Sequence, residues 1–201
     1  MTVIQPAGNF YDKYGSRNPI VRILMNGFIR EFDSLSRQAR VTAAIEVGCG
    51  EGELSLRLAR QGIAVRAYDI SEDVIVEARK RASSRSISID FEVASLDQMR
   101  NVATAPLVVC CEVLEHLEHP HEGLEALESL TTNWLLASVP REPIWRLLNL
   151  ARGRYARELG NTPGHVNHWS KREFIAFVET RFQVVEIRCP LPWTMLLCRR
   201  R

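Results

Sequence analysis

Residues 45–52 read Ile-Glu-Val-Gly-Cys-Gly-Glu-Gly, and Asp69 follows the run 63–68, seventeen positions beyond Gly52. Glycine lacks a Cβ atom and adopts positive φ without strain. Three glycines in five positions therefore predict a sharp turn between a buried strand and a helix. We expect the amides of this turn to face outward and its main chain to touch a ligand. An acidic residue at the end of the next strand is typical of a nucleoside site, where its carboxylate accepts hydrogen bonds from a ribose diol.

The spacing of the glycines distinguishes this turn from a dinucleotide site. A pyrophosphate site has the pattern G-x-G-x-x-G, whereas the glycines here follow G-x-G-x-G, with Glu46 two residues before the first. A carboxylate at that place repels a diphosphate but suits a cationic group such as an ammonium or a sulfonium. Taken alone, the three glycines also fit an ordinary tight turn.

Two motifs resemble those of the class I S-adenosylmethionine (SAM) dependent methyltransferases. Residues 45–52 are similar to the first motif of that family. The segment 107–117 (LVVCCEVLEHL) resembles the fourth motif of its branch of small-molecule, quinone-type and sugar methyltransferases. The resemblance covers roughly residues 40–190 and implies SAM as the cofactor. It implies donor contacts from Glu46, Gly48, Cys49, Gly50, Gly52, Asp69, Ile70, Ser95, Leu96, Cys111, Glu112 and Leu117.

Within that set, the resemblance assigns parts of the donor to different strand ends. Cys111, Glu112 and Leu117 border the methionine part, and Ser95 and Leu96 flank the adenine. The family often has an acid where this chain has Ser95, so the chain departs from the pattern there.

Length and charge exclude several classes of protein. The chain has 201 residues and a formal net charge of +2. This length suits one domain, and so small a charge gives no global field that attracts nucleic acid or membranes. The first residues lack the basic and apolar segments of a secretion signal, and no stretch approaches the roughly 18 apolar residues of a membrane span. We expect a cytoplasmic protein with no integral membrane association and no nucleic-acid partner.

The five cysteines indicate reduced, largely buried thiols. Their number is odd, they lack C-x-x-C spacing, and most lie in apolar runs. Cys110 and Cys111 are adjacent. Because neighbouring side chains of a strand point to opposite faces, we expect packing here rather than a redox or metal pair.

Alternating strand and helix patterns predict the fold class. Strand character is found at 43–47, 63–69, 87–93, 106–111, 134–139, 182–189 and 193–199. The last two runs are joined by so short a loop that they pair antiparallel. The prediction is a single-domain α/β fold, Rossmann-like, with a doubly wound, mostly parallel, seven-stranded sheet that ends in an antiparallel hairpin.

Helix boundaries are marked by local signals. A first helix is expected to begin at Asn18-Pro19 with Ile20 on its inner face, and Ser71 is expected to cap a later helix. Ser170 and Glu173 form a capping box before the last helix.

The predicted organisation is one domain with two lid segments. Residues 1–40 form an N-terminal helical lid, and residues 41–201 form the SAM-binding domain with a lid insertion at about 140–168. Within this insertion, apolar residues recur at helical spacing, and five arginines outnumber two glutamates. We expect Arg154 and Arg157 to bind an anionic acceptor or the insertion to dock on a lipid surface. A solvated helix with ordinary surface arginines is the alternative.

The acceptor end needs little chemistry. Displacement at a sulfonium mainly requires the acceptor held near the methyl group, and a base only where the acceptor loses a proton. We predict His116 and His165 as base or orienting residues, because imidazole titrates near neutral pH. Tyr14 is predicted as a further catalytic residue. Tyr11 and His168 are predicted to contact the substrate. Alternatively, the histidines pack or cap short elements and the tyrosines fasten the first helix.

A metal site is the sharper alternative for the same residues. Glu112, Glu115 and His116 share one face if that stretch is helical, and His165 completes a mixed oxygen and nitrogen set. The pattern is similar to metal-dependent ribose 2′-O-methyltransferases that act on small-RNA 3′ ends. Since E-H-L is also common among metal-free relatives, and since no RNA-binding extension fits this length, we predict no metal.

The sequence therefore predicts a SAM-dependent methyltransferase that acts on a small-molecule acceptor, with oxygen as the leading acceptor atom. The alternatives are a metal-assisted RNA ribose methyltransferase, an NAD(P)-dependent oxidoreductase and a nucleoside-binding module without catalysis.

Overall fold

The computed structural model of the chain describes residue 16, residues 18–151 and residues 159–201. The strands are β1 (Ala43–Val47), β2 (Ala64–Asp69), β3 (Asp90–Val93), β4 (Ala105–Cys111), β5 (Thr131–Pro140), β6 (Phe182–Arg188) and β7 (Trp193–Arg200). The helices are α1 (Pro19–Ala39), α2 (Glu53–Arg60), α3 (Glu72–Ser83), α4 (Pro120–Leu130), α5 (Ile144–Ala151) and α6 (Lys171–Val178). Short 3₁₀ turns cover Gln98–Asn101 and Leu114–His116.

The strands form one sheet in the order β3-β2-β1-β4-β5-β7-β6. β1 to β5 run parallel, and β7 lies between β5 and β6, antiparallel to both. The predicted fold class is confirmed, including the C-terminal hairpin. The strand order reverses between β1 and β4, and ligands of such sheets bind in the crevice at the strands' carboxyl ends beside this switch.

The third strand is shorter than predicted, because it begins at Asp90 rather than at residue 87. The amide of Ile87 donates to the carbonyl of Ala82, 3.1 Å away at the end of α3, so this residue closes the helix instead of extending the sheet.

Helices cover both faces of the sheet. α1, α2 and α3 pack on one apolar layer, and α4 and α6 pack on the other. Cys110 and Cys111 belong to opposite layers, as the alternation of side chains along β4 requires. All five cysteines are free thiols, and four of them are buried. Packing is therefore the role of this pair.

The helix signals are confirmed except at two positions. α6 has the complete capping box of Ser170 and Glu173. Ser71 does precede α3, but among the described residues its side chain makes no capping bond. Its amide instead donates to the Asp69 carboxylate two residues earlier, over 3.0 Å. Ile20 is 58% exposed, because the first turn of α1 precedes its buried face, which begins at Met25.

Parts of both predicted lids lie outside the described residues. Tyr11, Tyr14, Arg154 and Arg157 are among these, so their predicted roles stay predictions. Of the described helices, none is both long enough and apolar enough to span a bilayer.

Candidate functional site

The glycine turn follows β1 at the switch point of the sheet. Gly48 and Gly52 have φ of +70° and +78°, in the left-handed region that glycine adopts without strain. A Cβ atom on Gly48 would clash with the Val113 side chain, which follows β4. Any other residue at position 48 would therefore both strain the turn and displace the neighbouring strand end.

Three amides of the turn bond within the protein, contrary to the prediction that the turn's amides face outward. Gly48 and Cys49 donate to the carbonyl of Tyr68 over 2.8 and 2.9 Å, and Gly50 donates to Oδ2 of Asp69 over 2.8 Å. Backbone donors beside a buried strand need partners, and the end of β2 supplies them. These three amides are thus not available to a ligand, whereas the glycines still let a ligand approach the main chain closely.

Asp69 acts as a hub between the turn and α3. Oδ2 accepts from the Gly50 amide, and Oδ1 accepts from the Ser71 amide over 3.0 Å. A carboxylate has about four lone-pair sites, so these two bonds leave capacity for two more donors. The predicted ribose contact is compatible with this geometry.

Glu46 is a buried carboxyl group at the end of β1, only 2% exposed. The Ser55 hydroxyl of α2 donates to its Oε2. Burial, with a smaller repulsion from Asp69, raises the pKa of Glu46 from 4.5 to about 8. Both carboxylates also raise the pKa of the Cys49 thiol, after the larger effect of burial, so they surround the same turn.

This raised pKa predicts that stability falls with rising pH. Between about pH 4.5 and pH 8 the folded chain keeps the Glu46 proton and the unfolded chain loses it. The free energy of unfolding then decreases by about 1.4 kcal/mol per pH unit. The variant Glu46→Gln lacks this proton. We expect its stability relative to wild type to rise by about 2–3 kcal/mol from pH 5.5 to 7.5 in urea unfolding.

Glu72→Gln, at an exposed position of α3, is the matched control and should run parallel to wild type. Parallel pH curves for Glu46→Gln and wild type would contradict the raised pKa.

Apolar side chains are exposed where β2 and β3 end. Ile70 is 49% exposed, and Val93, paired in register with Asp69, is 50% exposed. Ser95 is occupied locally, because its amide and hydroxyl both bond Gln98. The exposure of Val93 was not predicted from the sequence, since nothing in the local pattern shows that a valine at a strand end stays uncovered.

Glu112 directly follows β4 and has a left-handed conformation, with φ of +61°. Each of its carboxylate oxygens has a donor from a neighbouring strand. The Ser138 hydroxyl lies 3.3 Å from Oε1, and the Trp193 indole nitrogen lies 2.6 Å from Oε2. Residues of β5 and β7 therefore hold the Glu112 carboxylate at the carboxyl edge of the parallel strands.

The imidazoles of His116 and His165 meet beside this edge. Their ring centroids are 4.8 Å apart in an edge-to-face arrangement. Nδ1 of His116 lies 2.8 Å from the carbonyl oxygen of Gly164. Because a carbonyl only accepts, Nδ1 carries a hydrogen and donates it. The carbonyl of Gly164 therefore fixes the orientation of the His116 ring.

Glu115 completes what we call the acid–imidazole cluster, made of Glu115, His116 and His165. Its carboxylate is 1% exposed, and one nitrogen or oxygen atom of each member lies within 4.8 Å of the others. A buried carboxylate beside an imidazole stabilises the imidazolium formed when the ring accepts a proton.

A loop brings the second histidine to the first. The amides of Val166 and Asn167 donate to the carbonyl of Glu115 over 2.9 and 3.0 Å. The Asn167 amide group donates to the carbonyls of Leu114 and Leu117. The loop before α6 is therefore fastened to the 3₁₀ turn that follows β4.

The cluster differs from the four-residue metal set of the sequence hypothesis. The hypothesis that Glu112 belongs to this set is wrong. Residues 112–116 do not form one helix, and the Glu112 side chain bonds Ser138 and Trp193 instead. Glu115, His116 and His165 remain as a set that can hold a cation. His168 lies apart, with Nδ1 3.7 Å from Glu142.

Two tryptophans line this region and were missed from the sequence. Trp145 stacks on His165 with centroids 5.9 Å apart and donates to the Thr162 hydroxyl over 2.9 Å. Trp193 lies 5.8 Å from Trp145 and 5.0 Å from Phe28. Neither belongs to a motif, so only the fold reveals them.

Sequence comparison finds related methyltransferases. A family model described as a methyltransferase domain matches residues 44–132. The ubiquinone biosynthesis O-methyltransferase of Xylella fastidiosa (strain 9a5c) is 30% identical over 125 residues, covering 60% of this chain and 49% of that protein. Its counterpart in Xanthomonas axonopodis pv. citri (strain 306) is 26% identical over 174 residues, covering 84% and 70%. The chain spans about half the length of the first of these relatives.

Solved structures share the whole fold. Magnesium protoporphyrin IX methyltransferase from Synechocystis PCC 6803, with bound SAH, superposes with a TM-score of 0.72 at 22% identity, covering 93% of this chain and 90% of that one. A SAM-dependent methyltransferase from Clostridium acetobutylicum ATCC 824 gives a TM-score of 0.65 at 8% identity, covering 89% and 91%. At such identities the likeness concerns the fold.

Proposed function

We propose that this chain is a class I SAM-dependent methyltransferase and that it transfers a methyl group from SAM to an oxygen atom of a small molecule. The observation that carries the proposal is the placement of two carboxylates, Glu46 and Asp69, around a glycine turn at the switch point of the sheet. The names of the relatives, which are O-methyltransferases, support an oxygen acceptor.

The donor is proposed to lie across the carboxyl ends of β1, β2 and β4. Asp69 accepts from the ribose hydroxyls through its remaining lone pairs, and Ile70 and Val93 cover the adenine. The backbone at Gly48 lets the donor approach closely. Glu46 and Glu112 supply negative charge for the ammonium and sulfonium groups, and such cations favour the ionised form of Glu46.

The acceptor is proposed to lie against the acid–imidazole cluster and Trp145. A hydroxyl that becomes a methyl ether loses its proton, and His165 or His116 receives it. Glu115 then stabilises the imidazolium. Most of the rate enhancement comes from holding the acceptor oxygen near the methyl group with water excluded.

A second candidate function uses the same cluster with a metal ion. Two imidazoles and one carboxylate suit borderline first-row transition ions better than Mg²⁺ or Ca²⁺. The His116 ring also donates its other N–H to a backbone carbonyl, as metal-bound histidines do. In this candidate the three residues are ligands, and neither histidine is a free base.

Calorimetry followed by turnover tests methyl transfer against an oxidoreductase and a non-catalytic binding module. We expect SAM and S-adenosylhomocysteine to bind at a single site and NAD not to bind. With methyl-labelled SAM and a metabolite extract, mass spectrometry should then detect a labelled small molecule. Binding of NAD without SAM would support the oxidoreductase, and SAM binding without label transfer would support a non-catalytic module.

Removal of metal separates the two candidates within the same assay. After dialysis against EDTA, the first candidate predicts unchanged label transfer. The second predicts loss of transfer that added Mn²⁺ or Co²⁺ restores. Neither result alters the calorimetric test of donor binding.

A further inference from the structure

Trp193 lies outside the residues that the methyltransferase family model matches, but it bonds a residue within them. It begins β7, is 3% exposed, and lies outside the matched residues 44–132. Its indole nitrogen donates to Oε2 of Glu112 over 2.6 Å, across 81 positions of sequence. A residue of the C-terminal hairpin is thus bonded to the carboxylate that follows β4, at the proposed SAM site.

The orientation of this indole is determined by its packing. The Phe28 ring of α1 meets it edge-on at 5.0 Å, and Trp145 of α5 tilts against it at 5.8 Å. A buried ring held between two aromatic neighbours keeps its single N–H in one direction. The hydrogen bond to Glu112 therefore depends on ring contacts from α1 and α5.

The Glu112 carboxylate is held from two sides. Ser138 donates to Oε1 over 3.3 Å, and the Glu112 amide donates to the Ser138 carbonyl over 3.0 Å. Its positive φ gives the backbone an uncommon conformation that these contacts maintain. A carboxylate oxygen can accept more than one hydrogen bond, so the bond from Trp193 is compatible with a bond from a cationic ligand group.

We propose that Trp193 is a positioning residue of the donor site: its indole N–H orients Glu112 to receive the ammonium group of the donor's amino-acid part. This inference rests on the proposed function, since it presumes that SAM binds at this edge. It assigns Trp193 no contact with the reacting atoms, because it acts through Glu112.

Two donor analogues separate orientation of Glu112 from a general effect on the site. S-adenosylhomocysteine contains the amino-acid part, and 5′-methylthioadenosine lacks it. Trp193→Phe keeps an aromatic ring but removes the N–H. We expect calorimetry to show S-adenosylhomocysteine binding weakened by about tenfold or more, because Glu112 is no longer oriented for its proposed charge-assisted bond to the ammonium group. Binding of 5′-methylthioadenosine should stay within about twofold of wild type.

Further variants keep the test independent of folding. Glu112→Gln should show the same ligand selectivity, and Ser138→Ala should show it with little loss of volume. Trp134→Phe is the matched control, because Trp134 lies near the start of β5 under the Arg199 guanidinium, 5.6 Å from its ring centroid. It should leave both affinities unchanged.

The outcomes distinguish this inference from the proposed function. If Trp193→Phe weakens both ligands equally, or neither, the positioning role is overturned while donor binding stands. The same conclusion follows if wild type does not prefer S-adenosylhomocysteine to 5′-methylthioadenosine. If wild type binds neither ligand, the proposed function fails, and this inference fails with it.

Discussion

Replacing Asp69 by alanine is expected to weaken S-adenosylhomocysteine binding by about 100-fold or more. The substitution removes the acceptor for the Gly50 amide, 2.8 Å away, and the proposed acceptor for both ribose hydroxyls. Hydrogen bonds to a charged group contribute about 1.5–3 kcal/mol each. Losing two of them amounts to about 3 kcal/mol or more, which is about 100-fold in Kd.

Calorimetry of Asp69→Ala and Asp69→Asn measures this effect, with circular dichroism to verify the fold. The asparagine variant keeps one oxygen and should lie between alanine and wild type. Asp73→Ala is the matched control, because Asp73 is an exposed acid in the first turn of α3. If folded Asp69→Ala bound the ligand within about threefold of wild type, the nucleoside interpretation of this strand end would be wrong.

Replacing His165 by asparagine is expected to reduce kcat by roughly 100- to 10,000-fold, the range that general base catalysis contributes. The S-adenosylhomocysteine Kd should change little, because the acid–imidazole cluster is proposed to act on the acceptor. His165 is 9% exposed, meets His116 edge-on and stacks on Trp145. Its loss removes both a proton acceptor and part of the acceptor surface.

Single-turnover rates with the acceptor identified by labelling measure this effect. Glu115→Gln should lower kcat less than His165→Asn, since both imidazoles remain and only the neighbouring carboxylate is lost. His119→Asn, at an exposed histidine before α4, is the matched control and should match wild type. A His165→Asn enzyme with wild-type kcat would exclude the cluster from the chemistry.

The candidate donor site was largely accessible from local sequence. The glycine turn, Asp69 and Glu112 lie in motifs whose residues are close along the chain, and the structure places them at one edge of the sheet. The hydrogen bonding and ionisation of these residues were harder to predict from the sequence. The turn's amides bond Tyr68 and Asp69, and burial makes Glu46 a weak acid, effects that depend on neighbours from β2 and α2.

The acceptor side was only partly predictable. His116 and His165 were recognised as candidates, but their meeting depends on a loop whose amides bond the Glu115 carbonyl, about fifty residues away. Glu112 lies outside the cluster because its carboxylate bonds the indole of Trp193, a residue of the C-terminal hairpin. Long-range contacts of this kind leave no periodic pattern in the sequence.

The sequence by itself determined the order of strands and helices along the chain and the class of the sheet. Those properties follow from hydrophobic period, glycine conformation and helix caps, which act over a few residues. Only the tertiary structure decided which carboxylates are buried or bonded, and which rings face one another. Burial and orientation depend on side chains from distant segments, because dielectric surroundings and hydrogen-bond partners exist only once the chain has folded.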